Sequence, residues 1–378
     1  MTPAILVLNA GSSSLKFGLY AAADLAPLRR GVREAGTVTV ATPAGKAQAA
    51  DTQAEMLAGL LAELDALAGE VQVVAAGHRV VHGGEWHAAP VVVTPELLAE
   101  LEALSPLAPH HQPYNLAGIR ALARRWPRLL QVACFDTAFH RTQPRLAQLF
   151  ALPRRYAEQG VLRYGFHGLS YEYIAGELPR LGIAADARVI VAHLGHGASL
   201  CALRGGRSIA TTMGFSTLDG LMMGERCGAL DAGVVLHLLR GGLDIAALER
   251  LLNYESGLLG VSGLSSDVRV LEASADPRAR EALELFAYRV ARELGSLVAA
   301  LGGLDALVFT AGIGEPSAAM RARIAASSGW AGIELDAAAN GRHAERISAA
   351  GARVGVYVLP TDEEIVIARA AGATIRPA

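Results

Sequence analysis

The sequence predicts an α/β protein of two domains with a duplicated architecture. Its 378 residues correspond to about two domains of ordinary size. Short apolar runs that suit buried strands alternate along the chain with longer stretches of helical spacing. Each half also opens on the same pattern: an apolar strand, a polar residue (Asn9 or His193), a Gly-rich turn and a second strand.

The first half alternates between predicted strands and helices. Its apolar runs suit buried strands, and Thr94 followed by Pro95 is the order expected at a helix N-terminus. In chain order we expect a strand at 5–8, a tight turn at 9–14, a returning strand at 15–20, a helix at 51–67, a strand at 71–76, a turn at 78–84, a helix from 95 and a strand at 129–135.

The second half repeats this alternation from Phe139 onward. We expect strands at 188–192, 198–203, 208–212, 305–310 and 354–359, Gly-rich turns at 193–197 and 311–315, and helices at 276–301, 316–326 and after 364.

A duplicated strand–turn–strand with the ligand between the halves is the arrangement of actin-like phosphotransferases, which have the ribonuclease H-like fold. By analogy with that fold, we expect a first domain of residues 1–138 plus 365–378, to which the last helix returns. The second domain is expected over 139–364, with the active site in the cleft between the two.

Composition excludes several classes of protein. Hydrophobic residues make up 52% of the chain, which argues against disorder, and a net charge of −2 argues against a general nucleic-acid binder. The apolar run at 297–304 is too short to span a membrane, and the N-terminus lacks the features of an export signal. The three cysteines form no CxxC pair, so we expect a cytoplasmic protein without nucleic-acid or membrane partners.

The turn at 9–16 is a candidate phosphate site. Of 34 lysine and arginine residues only Lys16 and Lys46 are lysines, and Lys16 closes this turn. Glycine and serine offer backbone and hydroxyl donors to a phosphate chain, and Lys16 adds a compact positive charge. An ordinary hairpin turn is the alternative. Two further Gly-rich turns, at 193–197 and 312–315, also follow strands, and none of the three has the spacing of a P-loop or a dinucleotide-binding fold.

Four ionisable side chains stand in patterns typical of active sites. Arg79 follows a strand among apolar residues and suits a bidentate grip on a carboxylate, with a structural ion pair as the alternative. Asp136 ends a buried strand, a place common to catalytic acids and to helix caps. His167 is bracketed by glycines and aromatic residues, as buried core histidines often are. Arg226 lies in a Gly-flanked apolar loop and needs an anion, either a protein carboxylate or a substrate phosphate.

Together these segments resemble the acetate kinase (acetokinase) family of carboxylate phosphotransferases. Residues 9–16 are similar to its first signature and residues 212–226 to its second. The other runs that match in order are 78–84, 135–140, 164–168, 256–269, 309–315 and 360–369, so the resemblance covers essentially the whole chain. It implies a two-domain fold of the acetate and sugar kinase and actin type, a homodimer, and transfer of phosphate from ATP to acetate, giving ADP and acetyl phosphate. It also implies Mg²⁺, with Mn²⁺ as an alternative metal.

The resemblance implies roles for individual residues. Asn9 and Glu363 match the magnesium-site residues, and Lys16 matches a contact to the phosphates of ATP. The positions that match catalytic residues are Arg79 for the carboxylate substrate, Asp136 as the active-site aspartate, and His167 with Arg226 as stabilisers of the transition state. The positions that match three nucleotide-binding stretches are His193, Leu194, Gly195, His196 and Gly197; Asp267, Val268 and Arg269; and Gly312, Ile313, Gly314, Glu315 and Pro316.

Some positions depart from the family pattern. His196 and Pro316 each replace a usual Asn in a nucleotide turn, and Ala229 replaces a usual Asp after Arg226. The remaining departures are Leu169 and Tyr171 after His167, and His110 and Thr217 near the acyl pocket. They bear on acyl-chain preference and nucleotide affinity more than on the chemistry.

Acetate is ionised at neutral pH, so its attack on phosphorus needs no general base. Positive groups must instead bring two anions together, and Lys16, Arg79 and Arg226 are expected to converge for this. Asp136 then suits the alignment of groups or the organisation of magnesium-bound water better than the role of a base.

Three other functions are alternatives to acetate kinase activity. His110 and Thr217 favour a kinase for propionate or another short-chain carboxylate. His196, Ala229 and Pro316 favour a catalytically degenerate nucleotide-binding sensor. A metal hydrolase is the weakest alternative, because the 11 histidines show no ligand spacing.

Overall fold

The computed structural model describes residues 1–11, 14–34, 37–40 and 53–375. It divides into two compact units. The first comprises Met1–Phe139 and Asp362–Ala378, and the second comprises His140–Thr361. Ser12 and Ser13 of the predicted phosphate turn, and Lys46, lie outside the described residues.

The described strands are β1 (Thr2–Ala10), β2 (Ser14–Ala21), β3 (Pro27–Glu34), β4 (Thr37–Val40), β5 (Val71–Val80), β6 (Val91–Val92), β7 (Leu130–Phe135), β8 (Arg188–Leu194), β9 (Ala198–Arg204), β10 (Arg207–Thr211), β11 (Ala306–Thr310) and β12 (Gly355–Val358).

The described α-helices are α1 (Gln53–Ala66), α2 (Pro95–Ala103), α3 (Gln112–Arg125), α4 (Arg145–Gln148), α5 (Arg154–Glu158), α6 (Gly168–Glu177), α7 (Ala232–Arg240), α8 (Ile245–Tyr254), α9 (Gly257–Ser262), α10 (Val268–Ala273), α11 (Pro277–Leu301), α12 (Ala311–Gly314), α13 (Ala318–Ala326), α14 (Ala337–Gly341) and α15 (Glu363–Ile375). Short 3₁₀ helices span Ser105–Leu107, Ala138–Thr142, Leu178–Leu181 and Gly329–Ala331.

The first unit is a seven-stranded sheet with helices on both faces. Its strand order is β4-β3-β2-β1-β5-β7-β6. On one face, Leu6 and Ala76 pack in a cluster with Leu60 of α1 and Leu122 of α3. On the other face, a Cβ at Gly77 of β5 would lie 2.4 Å from Ile367 of α15, so the last helix lies directly against the strand. Successive strand residues point to opposite faces, which explains why Ala76 and Gly77 meet different helices.

The second unit is built on a five-stranded sheet of order β10-β9-β8-β11-β12. Its long helix α11 begins at the N-cap Asp276, whose side chain accepts from the Arg278 amide, and ends before Gly302 in the left-handed conformation. The helix buries an apolar stripe that includes Phe286, Val290 and Leu294. It packs against the strands of this sheet.

The two sheets share one topology. In the first unit β3, β2 and β1 run antiparallel in succession, and β5 and β7 then continue parallel to β1. In the second unit β10, β9 and β8 are antiparallel, and β11 and β12 continue parallel to β8. The predicted α/β class with a duplicated architecture is therefore confirmed. Among the described residues, no helix combines the length and apolar character that a membrane span requires.

Two local predictions were wrong. The strand expected at 71–76 continues to Val80, so Arg79 lies within β5 rather than in a turn. The strand continues because His78 is buried against β7, where its Nε2 lies 2.8 Å from Gln131 Oε1, and the buried side chain keeps a hydrogen-bond partner. The turn expected at 311–315 is instead the short helix α12. The sequence analysis also missed β3 and β4.

Candidate active site

In the first unit, three neighbouring parallel strands end in polar side chains. Asn9 is the second-last residue of β1, Arg79 is the second-last residue of β5, and Asp136 directly follows β7. The carboxyl ends of parallel strands share one edge of a sheet, which is the usual place for ligand-binding groups in such folds. The Arg79 guanidinium donates from Nε to Asp136 Oδ1 (3.1 Å), from Nη2 to Asp136 Oδ2 (2.5 Å) and from Nη1 to Asn9 Oδ1 (3.2 Å).

This ion pair is largely removed from water. The Asp136 side chain is 1% exposed and that of Arg79 is 19% exposed. Burial disfavours the charge on Arg79, but the attraction of Asp136 and then of Glu363 outweighs burial and holds the pKa of Arg79 above its ordinary value. Arg79 therefore carries a fixed positive charge, and Glu363, the first residue of α15, lies close enough to act on it.

Lys16 stands opposite Asn9 in the β1–β2 hairpin. The two residues are partners in the strand register, and the hairpin closes through a bond from the Gly11 amide to the Ser14 carbonyl. Lys16 is exposed, and its charge also acts on Glu364, whose pKa is raised mainly by burial. The first unit thus groups Asn9, Lys16, Arg79, Asp136 and Glu363.

Two amide side chains on α3 hold the strand ends in place. Asn115 Oδ1 accepts from the Val81 amide (3.0 Å), and its Nδ2 donates to the Ala10 carbonyl (2.6 Å), so one side chain joins the ends of β1 and β5. Gln112 makes the corresponding pair of bonds to the amide and carbonyl of His82. Sequence reasoning missed both residues, although two amides three positions apart on a buried helix face were a usable signal.

In the second unit, His167 is held in an uncommon backbone conformation. Its φ of 58° lies in the left-handed region, and it is the N-cap of α6. Its Nδ1 lies 2.8 Å from Ser199 Oγ, and its ring stacks on that of His193 with centroids 4.1 Å apart. His193 Nδ1 in turn lies 2.8 Å from Ser170 Oγ. Both rings are therefore oriented by serine hydroxyls.

Gly197 separates His167 from Arg226. A Cβ at Gly197 would lie 3.3 Å from His167 Nε2 and 3.8 Å from Arg226 Nη1, so both side chains approach the same stretch of backbone. Arg226 Nη1 also donates to the Thr217 carbonyl at 3.1 Å. The structure thus brings a guanidinium and an imidazole together at the Gly-rich turn after β8.

The turn after β8 and the short helix α12 after β11 lie side by side. Thr310 and His193 are register partners, and a Cβ at Gly195 would lie 3.7 Å from the Gly312 amide nitrogen. A Cβ at Gly312 would meet nothing within 4 Å among the described residues, so this backbone is open. Glu315 Oε1 accepts from the Ala311 amide at 2.7 Å and holds the turn closed.

The stretch Asp267, Val268 and Arg269 adjoins this region through Gly224. A Cβ at Gly224 would lie 2.7 Å from His196 Nδ1 and 3.4 Å from Ser266 Cβ, so the His196 turn and the segment before Asp267 are neighbours. Asp267 caps α10 and pairs with the exposed Arg269. The second unit therefore groups the three predicted nucleotide stretches with His167 and Arg226.

A buried arginine supports the turn after β11. The side chain of Arg321 is fully buried, and its Nη1 donates to the carbonyls of Gly314 (2.9 Å) and Glu315 (2.6 Å). Its Nε donates to Asn340 Oδ1 at 2.8 Å, and burial lowers its pKa. Sequence reasoning missed this residue because nothing in a helical pattern distinguishes one arginine among many.

Comparison with known proteins shows the family. The acetokinase family profile matches residues 4–369. An acetate kinase of Rhodopseudomonas palustris is 53% identical over 388 residues, which covers 98% of each chain. The crystal structure of a propionate kinase from Francisella tularensis aligns with a TM-score of 0.91 at 35% identity, covering 98% of this chain and 99% of that one. The Porphyromonas gingivalis acetate kinase structure aligns at 0.89 and 35% identity, covering 99% and 100%.

The chain belongs to the acetokinase family. These matches confirm three predictions from the sequence: the family, the fold class, and a phosphotransferase of the acetate kinase type.

The structure shows the surroundings of two positions that depart from the family pattern. His196 is exposed, and its Nε2 lies 3.8 Å from a Glu225 carboxylate oxygen. Pro316 is exposed and precedes Ser317, the N-cap of α13. Pro316 lacks an amide proton, so the turn offers one donor fewer than Asn would at that place.

Ala311, the first residue of α12, provides a test of backbone strain in the segment after β11. Its φ of 68° is left-handed, which costs a residue with a Cβ about 1 kcal/mol or more. Ala311→Gly is expected to leave the free energy of unfolding unchanged or raise it by about 1 kcal/mol, measured by urea denaturation. The control Ala322→Gly, on the exposed face of α13, should lower it by about 1 kcal/mol. Equal losses in both variants would contradict the assigned strain.

Proposed function

We propose that this chain catalyses the reversible, Mg²⁺-dependent transfer of the γ-phosphoryl group of ATP to acetate, giving acetyl phosphate and ADP. The observation that carries the proposal is the acetokinase match over residues 4–369, together with the retention of every position that the resemblance assigns to the chemistry. The reaction moves no proton, because a carboxylate oxygen attacks the phosphorus and the bond to ADP breaks.

Arg79 is the group that orients acetate in this proposal. Three of its five N–H donors bind Asp136 and Asn9, which leaves two without a partner among the described residues. A guanidinium edge presents parallel donors that match the two oxygens of a carboxylate. Because Asp136 and Asn9 fix the plane of the guanidinium, little side-chain entropy is lost when acetate binds.

Asp136 acts as an aligner rather than as a base. Both of its carboxylate oxygens accept bonds from Arg79, and its side chain is almost completely buried. Both oxygens face Arg79, and an ionised carboxylate substrate needs no proton acceptor. Its role in the proposal is to keep Arg79 charged and in one orientation.

His167 and Arg226 hold the oxygens of the transferring phosphoryl group. Both side chains approach the backbone at Gly197, and fixed donors of this kind stabilise charge that builds up during phosphoryl transfer. The stretches 193–197, 267–269 and 312–316 bind the nucleotide, with the open backbone at Gly312 allowing close approach of the ligand. Lys16 supplies a further charge to the phosphates.

Magnesium fits the oxygen donors of the first unit. The described residues contain no group of three His, Cys, Asp or Glu side chains placed to hold a metal ion. Mg²⁺ in kinases, however, is held by one or two protein oxygens, water and the substrate phosphates. Asn9 and Glu363, both beside Arg79, provide such a set. When bound, the ion would neutralise part of the phosphate charge.

The proposal also includes that the chain forms a homodimer in the cytoplasm, through apolar residues exposed on α7 and α8. Helix α7 buries none of its residues, and Val234, Leu236 and Leu239 are 36–50% exposed on it. Ile245 at the start of α8 is 72% exposed. Several large apolar side chains exposed on neighbouring helices are typical of an interface between subunits.

The reaction is tested by trapping acyl phosphate with hydroxylamine. Purified protein with ATP and Mg²⁺ is expected to form acyl hydroxamate with acetate, propionate and butyrate, with kcat/KM highest for acetate. One methylene is worth about tenfold or more in a fitted pocket. A higher kcat/KM for propionate than for acetate would make propionate the preferred substrate. This comparison matters because the chain is similar to a propionate kinase. ATP binding without hydroxamate from any acid would identify a degenerate sensor.

Substitutions of Arg79 and Arg226 are expected to change different kinetic constants. Arg79→Ala should raise the KM for acetate about tenfold or more, since it removes a charged carboxylate contact. Arg226→Ala should lower kcat by about 10²-fold or more with smaller changes in KM. Steady-state kinetics measures both effects, and circular dichroism checks that each variant folds. The matched controls are Arg125→Ala and Arg180→Ala, which remove exposed ion pairs in the first and second units. Normal turnover in Arg226→Ala would refute its role.

The dimer is tested by charge substitution on the apolar helices. Leu236→Glu and Ile245→Glu together should shift the chain from dimer to monomer in sedimentation velocity, because carboxylates in an apolar interface are costly. Trp86→Glu, at an equally exposed apolar residue of the first unit, should leave the sedimentation coefficient unchanged. A native chain that sediments as a monomer would end this part of the proposal.

A further inference from the structure

A hydrogen-bonded chain of three side chains lies behind His167 in the second unit. Tyr171 Oη lies 2.5 Å from Ser199 Oγ, and Ser199 Oγ lies 2.8 Å from His167 Nδ1. Tyr171 and Ser199 are fully buried. Tyr171 is on the first turn of α6, four residues after His167, and Ser199 is on β9, so two separate elements fix the chain.

We propose that Tyr171, acting through Ser199, is a positioning residue that fixes His167 as an Nε2–H donor. The inference rests on the proposed function, because it gives a purpose to the orientation of His167 in phosphoryl transfer. Tyr171 is one of the positions at which this chain departs from the family pattern.

The proposal assigns a direction to the two bonds of this chain. Burial raises the pKa of Tyr171 well above its ordinary value, so its hydroxyl keeps its proton at any working pH. A serine hydroxyl has one proton and two lone pairs. In the proposed direction Tyr171 donates to Ser199, and Ser199 donates its single proton to His167 Nδ1. Nδ1 is then an acceptor, and the neutral imidazole carries its proton on Nε2.

The Nε2 edge of the His167 ring is the edge that acts in the proposed reaction. His167 Nε2 faces Gly197, where a Cβ would lie 3.3 Å from it and 3.8 Å from Arg226 Nη1. An Nε2–H donor and a guanidinium therefore approach the same residue, Gly197. With the other tautomer, His167 would present a lone pair there and repel a phosphoryl oxygen. The stack against His193 keeps the ring from turning to escape that repulsion.

The test removes one hydroxyl at a time. Tyr171→Phe keeps the ring, and is expected to lower kcat about tenfold while changing the KM for ATP and acetate by less than about twofold. Tyr164→Phe is the matched control, because it deletes a buried tyrosine hydroxyl that donates to the Gly160 carbonyl and is not part of the chain behind His167. Equal kcat values for the two variants would overturn the proposal. Ser199→Ala, which breaks the same chain at its centre, provides a second variant if Tyr171→Phe folds poorly.

A double-mutant cycle separates positioning from general stability. In a His167→Ala background, Tyr171→Phe should have no further effect on kcat, because the group through which it acts is gone. An undiminished tenfold loss in that background would show a merely structural role. If His167→Ala alone keeps normal kcat, the proposed role of His167 fails, whatever Tyr171 does.

The tautomer can be observed directly. Long-range ¹H–¹⁵N correlation spectra of histidine-labelled protein report which ring nitrogen carries the proton. The native chain should show His167 protonated at Nε2, and Tyr171→Phe should show a mixture of both tautomers. Resonances are assigned by their loss in His167→Ala. A native His167 protonated at Nδ1 would overturn the inference even if the kinetic effect were present.

Discussion

A buried guanidinium–carboxylate pair is the interaction on which the first unit depends. Removing one partner of such a pair would leave an unpaired charge away from water, which is strongly destabilising. Arg79 and Asp136 avoid this cost only because the ends of β5 and β7 stand side by side and Asn9 of β1 accepts a third bond. The register of three strands is therefore part of the site. Asn115 and Gln112 of α3 reinforce that register through bonds to the backbone beyond the strands.

The second unit uses the same sheet topology for different chemistry. Its parallel strands β8 and β11 end in Gly-rich turns rather than in a charged pair, so backbone amides and open space take the place of carboxylates. The groups that approach Gly197 are an arginine and a histidine whose orientation is set by Ser199 and Tyr171. Supporting residues such as Arg321 bind carbonyl oxygens of the turn and leave its amides available. The two similar scaffolds thus carry different groups at their strand ends, a charged pair in the first unit and Gly-rich backbone in the second.

Much of this could be predicted from the sequence, because the decisive signals are local. Alternating apolar runs predicted β1, β2, β8, β9 and β11, and glycines marked the turns that follow them. Long motifs around Asn9, Arg79 and Arg226 indicated the family. The extent of β5 was not predictable, because whether a strand continues through His78 depends on a glutamine of another strand.

The sequence alone determined the fold class, the family and the residue types available to the chemistry, since apolar periodicity and contiguous motifs are properties of short stretches of chain. Tertiary structure decided which groups form ion pairs and which are joined by hydrogen bonds. Arg79 is paired with Asp136 57 positions away, and His167 is oriented by Ser199 32 positions away. Electrostatic and hydrogen-bond energies depend on distances of a few ångströms in space, and spacing along the chain does not encode those distances.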